Sequence, residues 1–126
     1  MLKYIELKTD QQDQGPAWIA RVTLSKSGRT VYFNGKALKR VAGGGAVGNH
    51  FDLETGDEYW VSGAKRDGTD RHHSGRGVIW IETSAVAEYL EHTGETAIDR
   101  ARFRVIPDLA QTDPTRFVAR ENERSA

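Results

Sequence analysis

Apolar side chains in this chain recur at every second position in short runs, and the runs end in turn residues. A period of two puts successive side chains on opposite faces of an extended strand, so such runs read as half-buried strands. Ala17 to Ser25 shows it best, with Trp18, Ala20, Val22 and Leu24 on one face and Ile19, Arg21 and Thr23 on the other. Leu2 to Leu7 alternates in the same way. Lys26-Ser27-Gly28 is turn chemistry, and Arg29 to Asn34 reads as the partner strand of a hairpin. Asn34 and Gly35 both tolerate the positive φ of a type I′ turn, so a further strand is expected from Lys36 to Val41.

Ala42 to Asn49 holds four glycines and is expected to be a mobile loop. His50 to Leu53 and a Thr55-Gly56 turn follow it. Asp57 to Gly63 and Gly77 to Glu82 are the next strands. Ala101 to Ile106 is the last, with Phe103 and Val105 against Arg102 and Arg104 and Pro107 at its end. One segment has a helical period instead. Val86, Tyr89 and Leu90 are spaced for a helix over about 84–92, with Thr83 or Ser84 as its cap and Gly94 as its stop.

The fold class is therefore mainly β: a small SH3-like barrel, an OB-like barrel, or a curled antiparallel sheet with one short helix packed across it. At 126 residues the chain suits one domain. That domain is expected over 1–107. The tail, 108–126, is charged and expected to be partly disordered, with Leu109, Phe117 and Val118 as its anchors.

Composition removes several function classes. Without cysteine there is no disulfide, no thiolate nucleophile and no cysteine-ligated zinc. Eighteen basic residues balance eighteen acidic ones, so no global field draws the chain to nucleic acid or to an anionic membrane. Neither a signal-peptide order nor an apolar run of spanning length is present, which makes a cytoplasmic location the expectation and a membrane partner an unexpected one.

Gly43, Gly45 and Gly48 fit a literal G-x-G-x-x-G, but no βαβ unit and no helix start surrounds them, so a nucleotide cofactor is not expected. The segment from Ala64 to Arg76 is the most unusual in the chain. As a hairpin tip it is merely solvated. As a binding loop it offers Lys65, Arg66, Arg71 and Arg76 to phosphates, with Trp60, Tyr59 or His72 able to stack on bases. Lys36, Lys39 and Arg40 would extend that basic face. A metal site is disfavoured, because Asp70 and His72 share one face of an extended segment while His73 takes the other. His50 with His72 or His73 could act as the base and acid of phosphodiester cleavage. Trp18 and Trp80 read as core. Either Tyr59 or Trp60 must be partly exposed, since neighbours on a strand face opposite ways.

Tyr4-Ile5-Glu6-Leu7-Lys8, Gly15-Pro16-Ala17-Trp18-Ile19, Ser25-Lys26-Ser27-Gly28 with Val31-Tyr32-Phe33-Asn34, and Glu58-Tyr59-Trp60-Val61-Ser62-Gly63 resemble a family of short uncharacterised bacterial proteins. The resemblance covers roughly the first two-thirds of the chain and implies kinship without a mechanism. Some members carry the name of a deoxyxylulose-phosphate synthase, a thiamine-diphosphate enzyme several times longer whose cofactor site nothing here resembles. Gly56-Asp57 leading into Tyr59-Trp60-Val61-Ser62-Gly63 is also similar to a strand entry of SH3-like nucleic-acid-binding modules, which implies the barrel more than the ligand.

The functional expectation is a non-enzymatic binding module without a cofactor. It would contact RNA, single-stranded DNA or a protein partner through the 57–76 region, with Trp60, Lys65, Arg66, Arg71, His72 and Arg76 as the binding residues. The alternatives are a small histidine-dependent nuclease or metal-binding enzyme, and an inhibitor or immunity-type interaction protein.

Overall fold

A computed structural model describes residues 1–8, 15–42, 48–67 and 78–119. Nine strands form one sheet: β1 (Leu2–Leu7), β2 (Ala17–Arg21), β3 (Thr23–Leu24), β4 (Thr30–Phe33), β5 (Lys36–Arg40), β6 (His50–Asp52), β7 (Glu58–Gly63), β8 (Ile79–Glu82) and β9 (Phe103–Ile106). Their order is β3-β4-β5-β6-β7-β1-β2-β8-β9. The sheet curls into a half-barrel, as the alternation and short runs led one to expect of a chain that must avoid long exposed edges. It is mixed rather than purely antiparallel: β2 with β8 and β8 with β9 run parallel. A parallel pair needs a crossover connection. Between β8 and β9 that connection contains a 3₁₀ turn, Thr83–Ala85, and the helix α1, Val86–Thr93.

The hairpin expected over residues 17–34 is only half formed. Ala17–Arg21 pairs instead with β1 on one edge and β8 on the other, and only Thr23–Leu24 meets β4. Val22 is the single residue between β2 and β3. Backbone parity shows what this does. The N–H of Leu7 bonds Pro16 and that of Val22 bonds Met1, so the even-numbered residues of this stretch bond toward β1. Its odd-numbered residues therefore bond toward the opposite edge, where β8 is the neighbour first and β4 afterwards. One bent stretch of chain thus joins both ends of the curl.

The concave face holds Ile5, Trp18, Ala20, Val22, Val31, Phe33, Leu38, Tyr59 and Val61 in one buried cluster. Trp18 meets Phe33 edge-on at 5.3 Å between ring centroids, a contact that the curl makes between β2 and β4. Burying each large apolar side chain of this kind stabilises the fold by about 1.5–3 kcal/mol. Trp80, expected in the core, is 37% exposed: Trp18 packs on one side of it at 5.7 Å, but its partner across β9 is Arg104 rather than an apolar residue.

Two elements cover parts of the convex face. Helix α1 lays Tyr89, with Ala85 just before the helix, against Tyr4, Ile19, Ile79, Ile81 and Phe103. Gly94, at φ 78°, ends the helix in the left-handed region as expected. After Pro107 the chain runs on as a strap to a second 3₁₀ turn, Pro114–Phe117, where Phe117 is buried with Tyr32, Ala37 and Leu53. Leu109 packs against the concave cluster, and Val118 is exposed. The strap is fastened by the Thr112 hydroxyl, which donates to the Lys36 carbonyl at 2.9 Å, and by Arg116, which donates to the Gly35 carbonyl and to Glu54. Residues 120–126, to which the expectation of a disordered tail also applied, lie outside the described residues.

Candidate binding face

The alternation of β7 decides which aromatic is exposed. Tyr59 and Val61 turn into the concave cluster, so Trp60 points out from the convex face and is 42% exposed. Its strand lies between the two covered zones, since α1 sits over the β1-β2-β8-β9 side and Phe117 over the β4-β5 side.

Trp60 stands directly across from Glu6 on β1. Glu6 is a buried carboxylate, and such a charge needs partners to offset its lost hydration. It has two, one on its strand and one just past its end: the Tyr4 hydroxyl donates to Oε1, and Lys8 Nζ donates to Oε2 at 3.0 Å. Tyr4, Glu6 and Lys8 recur at every second residue and therefore share the convex face. That spacing of polar and ionisable groups is visible in the sequence, where Leu2 to Leu7 reads as an opening strand.

Lys65 and Arg66 are exposed just past the end of β7. Their starting point is fixed by His92 in the last turn of α1, whose Nε2 donates to the Ala64 carbonyl at 2.6 Å. Arg71, His72 and Arg76 lie outside the described residues, as do His73 and residues 43–47 of the glycine-rich stretch.

His50 does not join Trp60. It pairs with Tyr59 and Arg40, which puts it on the concave side, where it is only 4% exposed. Asn49 Oδ1 already accepts from the Val61 amide at 2.8 Å and also faces His50 Nδ1 at 2.9 Å, so Nδ1 carries the proton and donates. Burial, with smaller contributions from the charges of Arg40 and Lys3, lowers the His50 pKa to about 4. Burial, together with the charges of Asp52 and Asp57, raises the Tyr59 phenol to about 12. Among the described residues no group of three His, Asp or Glu side chains could hold a metal ion, and no helix is long and apolar enough to cross a membrane.

Comparison with protein-family models, with curated proteins and with solved structures gives no significant match. The functional reading therefore rests on the geometry of the convex face.

Proposed function

We propose that this chain is a non-enzymatic binding module that engages a protein partner through the convex face around Trp60. The observation that carries the reading is the exposure of a large indole at the middle of a rigid sheet, between two zones that the fold covers with its own elements. Exposed tryptophans in such settings act as interface anchors, because they bring a large contact area at little entropic cost. The surrounding charges favour protein over nucleic acid. Glu6 and Glu58 stand beside Lys8 and Lys39 on the same face, and Lys8 is already committed to Glu6. A phosphate backbone calls for an uncommitted basic surface, whereas a mixed rim suits a protein surface of mixed charge.

Trp60→Ala tests this directly. The expected result is a stoichiometric partner that co-purifies with the natural chain, rebinds it as an isolated component, and binds the variant at least tenfold more weakly at unchanged melting temperature. Titration with oligo-dT and oligo-U under a salt series separates the other reading. Binding to either that weakens steeply with salt and depends on Lys65 and Arg66 would replace the protein partner with a nucleic acid.

A further inference from the structure

The bent strand leaves a groove of about 560 Å³ at the place where β8 and β4 part company. Its floor is Val22 to Leu24, one wall is the end of β4 with Asn34, and the other is Ser84 with the strap from Asp108 to Thr112. The volume falls within the range of small-ligand sites, which form preferentially where neighbouring elements diverge.

The polar groups lining this groove differ in how far they are committed. Glu82 accepts two backbone N–H bonds, Asp108 accepts from the Ser84 amide, and the Arg21 guanidinium is paired with Glu88 at 3.5 Å. Among the described residues, the side chains of Thr23, Asn34, Ser84 and Gln111 make no hydrogen bond. They present two hydroxyls and two amides, which both donate and accept. We propose that the groove binds an uncharged, extended peptide segment, with the amides of Asn34 and Gln111 and the hydroxyls of Thr23 and Ser84 pairing with its backbone.

Three features select that ligand class. The Glu82 and Asp108 carboxylates balance the two cations of the lining, Arg21, which is paired with Glu88, and the Met1 ammonium, which donates to the Val22 carbonyl, so no excess of positive charge draws in phosphorylated or otherwise anionic ligands. A saccharide would call for an exposed aromatic platform, yet the two aromatic residues of the lining, Tyr32 and Phe33, are both buried. Leu24 and Leu109 supply apolar surface for alternate side chains of an extended backbone. This site is independent of Trp60.

The test is a two-dimensional amide NMR titration of the full chain with a capped neutral tetrapeptide, Ac-Ala-Val-Ala-Val-NH2, with maltose and inorganic phosphate as parallel probes. The expected result is saturable shifts of the Thr23, Leu24, Asn34 and Gln111 signals with the peptide alone. Removing the Thr23 and Gln111 groups in Thr23→Val and Gln111→Ala should weaken binding by about threefold to tenfold each, the usual effect of losing one hydrogen bond. Because neither side chain bonds another group among the described residues, both variants should keep the parent melting temperature. Shifts confined to maltose or phosphate, no saturable shift in the groove, or variants that bind as tightly as the parent would each overturn the proposal.

Discussion

Glu82 is the residue whose loss most sharply tests the packing of the strap. It is buried at the end of β8, its Oε1 accepts the Arg21 amide at 2.7 Å, and its Oε2 accepts the Leu109 amide at 2.9 Å. A hydrogen bond to a charged group contributes about 1.5–3 kcal/mol net, so two of them bound the effect near 3–6 kcal/mol. Water reaching the exposed Arg21 and half-buried Leu109 backbones would repair part of the loss, and removing a buried carboxylate recovers part of its desolvation cost. Glu82→Ala should therefore cost about 2–4 kcal/mol, which for a domain of this size lowers the melting temperature by about 10 °C. Glu82→Gln keeps one acceptor and turns an amide donor toward the other N–H, so it should cost about half as much. Urea unfolding with matched slopes measures both, and trypsin cleavage at Arg116 should become faster in each variant as the strap loosens. A Glu82→Gln protein as stable as the parent, or a loss under about 0.5 kcal/mol for alanine, would refute the view that this carboxylate stands in for a missing strand partner.

Phe117→Ala should cost about 3–5 kcal/mol in chemical unfolding, because the ring is fully buried against Tyr32, Ala37 and Leu53; a near-neutral change would mean that the strap does not dock. Gly48→Ala would place a methyl group 2.5 Å from the Tyr59 carbonyl oxygen, and the backbone shift this forces should cost about 1–3 kcal/mol, read as a lowered urea midpoint. His50 is neutral in the fold with a pKa near 4, below its ordinary value of 6.5, so the unfolded chain binds the extra proton. Its contribution is fully present above pH 6.5 and is lost as pH falls from there toward 4. His50→Gln should flatten that part of the stability profile, and a His50 ring signal titrating above pH 6 would refute the assignment. Gly35→Ala, at φ 75° in the turn between β4 and β5, should cost about 1 kcal/mol in the same unfolding assay.

Local pattern made the elements and their faces legible, and it left their partners hidden. Trp18, Ala20, Val22 and Leu24 share the concave side as their spacing required, Asn34 and Gly35 take up the positive φ that their turn required, and Gly94 stops the helix. Alternation cannot say which strand lies alongside, however, because pairing depends on tertiary closure. Ala17 to Leu24 therefore read as one strand of one hairpin, although it serves three neighbours. Trp80 shows the same limit: it alternates like a core residue, and only its parallel partner Arg104 explains its exposure. At the candidate face, the exposure of either Tyr59 or Trp60 followed from strand geometry. The choice of Trp60 came from the curl, which turns Tyr59 inward. The support that Tyr4, Glu6 and Lys8 give one another was present in their spacing, but it becomes visible only once β1 is known to lie against β7.

The same bend accounts for both the groove and the buried carboxylate beside it. When two strands take successive parts of one edge, they cannot meet without a clash, so a short stretch of that edge is left with no strand beside it. Here β8 is in register through Ile19 and β4 resumes at Thr23, which leaves Arg21 as the one residue in between whose N–H points to that edge. That N–H has no backbone partner, and the strand end nearest to it supplies an acceptor from its side chain in place of a backbone carbonyl. The second oxygen of Glu82 then fixes Leu109 and starts the strap along the far side of the gap. The groove is thus what remains of the edge after Glu82 has satisfied its one stranded donor, and the charge of Glu82 is spent on the two N–H groups that shape the groove rather than on a ligand.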